Sequence, residues 1–522
     1  MEVTSKSPRS IPIDKPTFFF SLAVLVSISA FCALAPDSAG VALKVIREYI
    51  MFKWGWMFLV FGLFCLLGSI WVGFSKYGDI KLGDPDDKPA YNLFTWGAMV
   101  FCSACGSSVI YWSIAEPIYY LQTPPFGEAL SPTAYDFAVT YGAFHWGVAW
   151  AFYALPCLPL AYYLHVRKQE NLKYSQVCAE VIGQKAANGP IGKIIDAIVV
   201  FGTFGGQGPG LGLGVPFLTA LTCELFNIPV SYWMNYVILA IWISIFTMSV
   251  IRGMDRGIKV LSTINIWLVF IFLGLILFLG PTVFMLDNAV DSTGILMDNI
   301  WRMLLFADPV RGGKFAANWT VFYWCWYLAL LPFLAIFIAR ISRGRTIREF
   351  LFGALGCGFF ASVIFFWIIG SYSVYLQSNE ILDIVNIVNT QGMPVAMVSI
   401  FKTLPFSKVI IAILVVLYFV FLATCIDSGS YAMACVTSKS VAVDQEPATW
   451  NRLTWALVIG FMGVALLALK KLEVIKTSVI AVGFPVMFLA ILTIWVLFKW
   501  MENDFDWPTK TPPRKKTVTD QD

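Results

Sequence analysis

Apolar runs long enough to cross a bilayer recur along almost the whole of this chain, and no other feature constrains its fold so tightly. Runs of roughly 20 apolar residues, the length a helix needs to span the hydrocarbon core, mark twelve segments. They are 17–36, 54–74, 93–122, 135–166, 194–223, 232–251, 260–286, 317–339, 350–377, 409–437, 453–469 and 477–498. Hydrocarbon offers backbone N–H and C=O groups no partner, so each run must satisfy them internally, as a helix. The expectation is an all-α integral membrane protein with twelve transmembrane helices. Composition agrees, since 58% of the 522 residues are hydrophobic and only 13% charged, against roughly a quarter charged in soluble domains.

Basic residues orient the spans. With the N-terminus in the cytoplasm, 25 of the 36 Lys and Arg fall in cytoplasmic segments and none falls inside a span. The strongest clusters are Arg167-Lys168-Lys173, Arg252-Arg256-Lys259 and Arg340-Arg343-Arg345-Arg348, while the outer connections 123–134 and 224–231 hold none. This asymmetry predicts a multi-pass protein of the cell inner (plasma) membrane with both termini cytoplasmic. The polar start, with Lys6, Arg9 and Lys15, lacks the short apolar core and small-residue cleavage site of a removable signal. Stretches near 290–306 and 382–402 are apolar on one side only and read as amphipathic helices at the membrane surface. The chain thus divides into a tail (1–16), two N-terminal helices with their loop (17–92), a first bundle (93–286), an interfacial segment (287–316), a second bundle (317–498) and a tail (499–522). The last tail ends in Arg514-Lys515-Lys516, which suits either a solvated end or contact with anionic membrane lipid. A net charge of +4 leaves no basic stripe for nucleic acid.

Candidate chemistry is sparse. The eleven cysteines sit almost all inside apolar runs, where they act as small hydrophobes. Cys102 and Cys105 have C-x-x-C spacing, but no second pair or nearby histidine completes a metal set. His145 and His165, the only histidines, read as hydrogen-bonded structural residues. No nucleophile–base pair stands out, so an integral-membrane enzyme is disfavoured and no cofactor is expected.

Polar groups in the spans are costly and mark candidate sites. The third span carries Ser103-Ala104-Cys105-Gly106-Ser107-Ser108 near its middle. Such residues suit either close helix packing or a break that exposes backbone carbonyls to substrate and ions. Glu116-Pro117 follows towards the outer end. The fifth span holds a glycine-rich run from Gly205 to Gly214. It lacks the strand and acidic residue of a nucleotide loop and suits a distorted, closely approached helix. Thr203 and Gln207, four apart, project from one face. Span ten ends its apolar run at Thr424-Cys425-Ile426-Asp427-Ser428, readable as cation ligands, a proton relay or a helix end. Aromatics cluster in two spans, as His145-Trp146, Trp150 and Tyr153, and as Trp319 with Phe322-Tyr323-Trp324-Cys325-Trp326-Tyr327. Rings attract a quaternary ammonium through their quadrupoles, at about 0.5–2 kcal/mol each. Scattered aromatics such as Trp54, Trp56, Trp112 and Trp500 read as interface belts.

The run Trp319-Thr320-Val321-Phe322-Tyr323-Trp324-Cys325-Trp326, followed by Ala339-Arg340-Ile341-Ser342-Arg343-Gly344-Arg345-Thr346, resembles the betaine/carnitine/choline transporter family. Glu116-Pro117, Thr123-Pro124-Pro125-Phe126-Gly127 and Phe144-His145-Trp146-Gly147 support the resemblance, which covers nearly the whole chain. It implies two inverted five-helix repeats, here 93–286 and 317–498, preceded by two extra helices. It also implies a homotrimer and a small onium substrate, a carnitine- or betaine-like zwitterion ahead of choline. By matching motif positions, the substrate cage would draw on Tyr119, Trp146 or Trp150, Tyr153, Trp326 and Tyr327, with Trp324 lining the approach. Exchangers in the family carry an arginine and a methionine where this chain has Asn265 and Leu334, which argues against cation-independent exchange. Sodium-coupled members carry two hydroxyl residues where this chain has Thr424-Cys425, and a thiol is a poor ligand for sodium. Coupling to sodium ion or a proton is therefore expected, with Cys102, Cys105, Thr203, Gln207, Asn265, Thr424 and Cys425 as candidate ion-site residues. A precursor/product exchanger and a channel remain the alternatives.

Overall fold

The computed structural model describes residues 11–104, 106–252, 254–310, 312–441, 445–469 and 472–505, without side chains at 249–263, 422–424 and 469–475. The described chain is mostly helical, and its β-structure is two isolated bridges, Ile13 with Ser438 and Lys81 with Thr346. The first two, α1 (Lys15–Leu34) and α2 (Pro36–Phe74), each take a proline in their first turn, where its missing N–H costs nothing. The third span is two helices, α3 (Leu93–Ala104) and α4 (Gly106–Gln122), bent 67° apart. Then come α5 (Pro132–His165), α6 (Pro190–Phe226), α7 (Met234–Arg252) and α8 (Met254–Leu279).

Gly280-Pro281 ends α8, and α9 (Thr282–Leu304) leaves at 110°. The run expected to continue to 286 therefore stops at 279. The proline provides no N–H, and its ring clashes with the helix it would continue. The second half comprises α10 (Lys314–Ile341), α11 (Ile347–Ser378), α12 (Ile384–Gln391), α13 (Met393–Lys402), α14 (Ser407–Val436), α15 (Thr449–Leu469) and α16 (Leu472–Asn503).

Nine helices among the described residues are long and apolar enough to cross a membrane, and eleven spans result if each bent pair counts as one. Of the twelve expected spans, 232–251 is helical, but the described apolar part of α7, Met234–Met248, falls short of that length.

Burial sorts the helices. Every residue of α10 from Phe322 to Ala339 is buried, as befits a helix apolar all round and enclosed by others. On α2, by contrast, Phe52, Trp56, Val60, Phe64 and Trp71 remain exposed, the pattern of a lipid-facing helix. Glycines let the central helices close up. A Cβ on Gly483 of α16 would stand 2.6 Å from the Cys325 carbonyl oxygen of α10, and one on Gly206 of α6 would stand 3.1 Å from the Ala329 carbonyl carbon.

The ends assigned to the cytoplasm are tied by polar contacts. The loop after α2 pairs with the α10–α11 turn, through Leu82 N–H to Arg345 C=O at 2.8 Å and Gly344 N–H to Leu82 C=O at 2.7 Å. Arg343 Nε donates to Asp87 Oδ2 at 3.0 Å. Asp14 binds Lys173 at 2.5 Å and also Lys193. Burial alone would raise the Asp14 carboxyl, but hydrogen bonds and charge from the two lysines hold it below its ordinary value.

Candidate substrate and ion site

Glu116 and Tyr120 lie one turn apart on α4, so their side chains share a face. On α10, Trp319, Tyr323, Trp326 and Tyr327 follow helical spacing and share another. A π-helical turn over Ala317–Val321 adjusts that face at its start, a device often found at functional sites. His145 and Trp146 of α5 close the third side.

These faces meet on one carboxylate. Glu116 is fully buried. Its Oε1 accepts the Trp146 indole N–H at 2.5 Å and the Tyr323 hydroxyl, and its Oε2 accepts the Tyr120 hydroxyl at 2.6 Å. His145 Nδ1 stands 2.9 Å from the Tyr120 hydroxyl, and Nε2 stands 3.0 Å from the Thr320 hydroxyl. A buried carboxyl group is tolerable when donors replace its lost hydration, and here one of the three donors, Trp146, is also an expected cage residue. Both ring nitrogens of His145 thus have hydrogen-bond partners.

Rings enclose the space beside this network. Trp146 packs edge-on against Trp326 at 5.8 Å, Tyr323 at 5.8 Å and Tyr327 at 6.2 Å. Tyr153 stacks on Tyr327 at 4.9 Å, and Trp326 Nε1 donates to the Gly206 carbonyl at 2.9 Å. Four of the expected cage residues, Trp146, Tyr153, Trp326 and Tyr327, therefore come together. Trp150 meets the cluster through Tyr153, and its indole N–H goes to Ser362 of α11 at 2.9 Å. Trp324 packs instead on Phe144 and Phe152 at 5.6 and 5.4 Å, away from Trp326. Tyr119 reaches the outer edge, 5.6 Å from the Trp319 ring.

Two sequence readings are corrected here. Trp112, read as an interface-belt residue, is buried and packs on Trp319, Tyr323 and Trp326 at 6.0, 5.8 and 6.2 Å. Lys476, assigned to an outer loop, lies inside α16 and is 2% exposed. Its Nζ sits 3.4 Å from the Trp319 ring centroid and 4.9 Å from that of Phe322, and donates to the Asn318 carbonyl at 3.2 Å. The apolar-run criterion missed both because it measures length and composition. The spacing of Glu116 and Tyr120, with His145-Trp146 beside the aromatic run of α10, was the available signal for the network.

The ion-site candidates gather in part. Cys425 Sγ stands 3.3 Å from Gln207 Oε1, and Gln207 Nε2 donates to the Cys425 carbonyl at 3.4 Å. Thr203 flanks them, since a Cβ on Gly429 would touch both Thr203 and Gln207, but its hydroxyl bonds Val199 of its own helix. Cys102 is buried on α3, and Asn265 is buried with no hydrogen-bond partner on either amide atom among the described residues. Cys105 and the Thr424 side chain lie outside what the structure describes. Asp427 accepts Arg452 Nη2 at 3.3 Å, both buried. A small cavity of about 20 Å³, room for about one water, joins the α3–α4 break (Ala104, Ser107, Ser108) to Gln207, Cys425 and Trp326.

A family model described as betaine/carnitine/choline family transporter matches residues 16–506. That span leaves out only the ends of the chain and contains the broken helix, the carboxylate network and the aromatic cluster. The chain belongs to the betaine/carnitine/choline transporter family, and it is a multi-pass membrane transporter and not an enzyme.

Proposed function

We propose that the protein is a secondary transporter that carries a small quaternary ammonium compound, a carnitine- or betaine-like zwitterion or choline, by alternating access and in step with a cation gradient. The observation that carries this reading is the convergence of Trp146, Tyr153, Trp326 and Tyr327 beside a break in a span. A methylated cation donates no strong hydrogen bond, so ring faces recognise it better than a carboxylate does. Breaks of this kind free backbone groups for ions in the bilayer interior. The bundles 93–286 and 317–498 are the inverted repeats that would rock about the site, in a homotrimer of the inner membrane with both termini cytoplasmic. Sodium ion or a proton would bind near Gln207, Cys425 and the break. Asn265 and Leu334, where exchangers carry arginine and methionine, favour this over exchange.

Reconstitution tests it. Proteoliposomes loaded with unlabelled betaine should accumulate labelled betaine by counterflow, which a channel cannot do. A sodium series at fixed pH and clamped potential should change the initial rate. Absence of counterflow for betaine, carnitine and choline alike would overturn the reading.

A further inference from the structure

Glu116, Tyr120 and His145 are buried titratable groups that the reading above uses only to hold rings in place. They form one chain. The Tyr120 hydroxyl stands 2.6 Å from Glu116 Oε2 and 2.9 Å from His145 Nδ1, and His145 Nε2 stands 3.0 Å from the Thr320 hydroxyl. A hydroxyl both donates and accepts, and a neutral imidazole donates from one nitrogen and accepts at the other. The chain therefore has two complete patterns. With Glu116 ionised, Tyr120 donates to Oε2, His145 Nδ1–H donates to Tyr120, and Nε2 accepts from Thr320. With Glu116 neutral, Oε2–H donates to Tyr120, Tyr120 donates to Nδ1, and Nε2–H donates to Thr320. One proton converts the first into the second. It binds Nε2, the Nδ1 proton passes to the Tyr120 oxygen, and the Tyr120 proton passes to Oε2. Neither pattern leaves a buried donor without a partner, which would cost stability. Other groups near the carboxyl are few. Tyr323 of α10 donates to Oε1, and Lys476 of α16 is the charged side chain whose field reaches it. Among the described residues, the remaining helices packed on α4, namely α3, α6 and α11 to α14, bring no titratable group into bonding distance of it.

We propose that Glu116 is a proton-binding site opposed to the onium site, so that a proton on this carboxyl and an onium compound in the cage each weaken the binding of the other. The inference rests on the onium reading and names what regulates that site. Oε1 holds the Trp146 indole N–H at 2.5 Å, and Trp146 packs on Trp326, Tyr323 and Tyr327. A carboxylate accepts that bond about twice as strongly as a neutral acid does, so it fixes the ring more firmly. It also pushes electron density into the indole, and the negative ring face is what attracts a quaternary ammonium. Its own charge attracts the same cation through a medium of low dielectric constant. Protonation weakens all three effects together. By linkage the reverse holds, and an onium compound entering the cage expels the proton. The site shares no residue with the cation position near Gln207 and Cys425.

Equilibrium binding of glycine betaine and of choline to the detergent-solubilised full chain, read by tryptophan fluorescence between about pH 6 and about pH 9, tests this, because neither compound titrates there. Wild-type affinity for both should fall at least ~fivefold towards the acid end. Betaine added to the wild type in weak buffer should release protons, up to about one per chain. Glu116→Gln, which cannot ionise, should bind each compound with the same weak affinity at every pH and release none. Wild-type affinity independent of pH, or proton uptake on binding, would overturn the proposal without any variant needing to fold. So would a pH dependence that persists in Glu116→Gln, since His145 or Lys476 would then be the group that titrates. The two ideas fail differently. If betaine, choline and carnitine bind at no pH, the onium reading falls and this inference falls with it. Binding that ignores pH leaves the onium reading standing and sinks the proton site alone.

Discussion

Glu116 Oε1 accepts the Trp146 indole N–H at 2.5 Å, across 30 residues of sequence and from one helix to the next. The bond fixes which way the Trp146 ring points, and so ties a buried carboxyl group to the shape of the aromatic cluster. The same oxygen takes the Tyr323 hydroxyl, so α4, α5 and α10 are locked together at one atom.

Glu116→Gln should break this lock. The amide offers one acceptor oxygen where three donors need two, and a buried donor left without a partner costs about 1–3 kcal/mol. A lower melting temperature and weaker betaine binding are expected together. Thermal shift and fluorescence titration on the purified variant check both, and an unchanged melting curve would show that the network is not under tension from its donors.

On the proposed reading Trp326 has two roles that substitution can separate. Trp326→Ala should weaken onium binding by at least ~1 kcal/mol through loss of a ring face. Trp326→Phe keeps a ring but loses the 2.9 Å bond to Gly206, so it should retain part of the affinity and show reduced stability. Titration calorimetry beside thermal melting reads the two effects apart.

Gly483→Ala should destabilise the α10–α16 contact. The added methyl would meet the Cys325 carbonyl oxygen at 2.6 Å and its Cα at 2.8 Å. Backbone atoms cannot swing aside as a side chain can, and overpacking of this kind costs about 1–3 kcal/mol. A fall in melting temperature larger than that of an alanine placed at Gly274, where a Cβ meets nothing within 4 Å, is the measurement.

The Arg343–Asp87 pair clamps the loop after α2 to the α10–α11 turn. The hydrogen bond from Arg343 holds the Asp87 carboxyl below its ordinary value. The pair's contribution is therefore present above the unfolded carboxylate pKa and is lost as pH falls through the lower folded one, so it is intact at neutral pH. Arg343→Gln and Asp87→Asn should each slow transport, leave substrate affinity nearly intact and fail to add in the double variant. Arg345→Gln should cost more stability, because Arg345 is buried, stacks on Trp96 at 4.8 Å and donates to the Tyr91 carbonyl at 2.8 Å. Uptake and binding measured on the same preparations decide between these effects.

Cys425→Ser replaces a soft sulfur beside Gln207 with a harder oxygen donor. Initial uptake in proteoliposomes should then depend more steeply on sodium than it does in the wild type. An identical sodium dependence would remove Cys425 from the ion site.

Length and composition determined most of the helices, because hydrocarbon forces each apolar run to close its own hydrogen bonds. The local chemistry of Gly280-Pro281 and of the small residues around Ala104 and Gly106 carried the positions of the breaks. The family was legible in the aromatic run of α10 and its basic exit. Rotation was not legible. Spans that are apolar on every side, such as α10, contain no hydrophobic stripe to say which face turns inward. Only packing decided that Trp146 meets Trp326, that Trp150 turns to Ser362, and that Trp324 faces away. It also decided that Trp112 is a buried ring rather than a belt residue. Lys476 illustrates the limit. One apolar residue more or less moves the end of a run past it, whereas its position over Trp319 arises from α2, α10 and α16 meeting in space, which no single segment of sequence specifies.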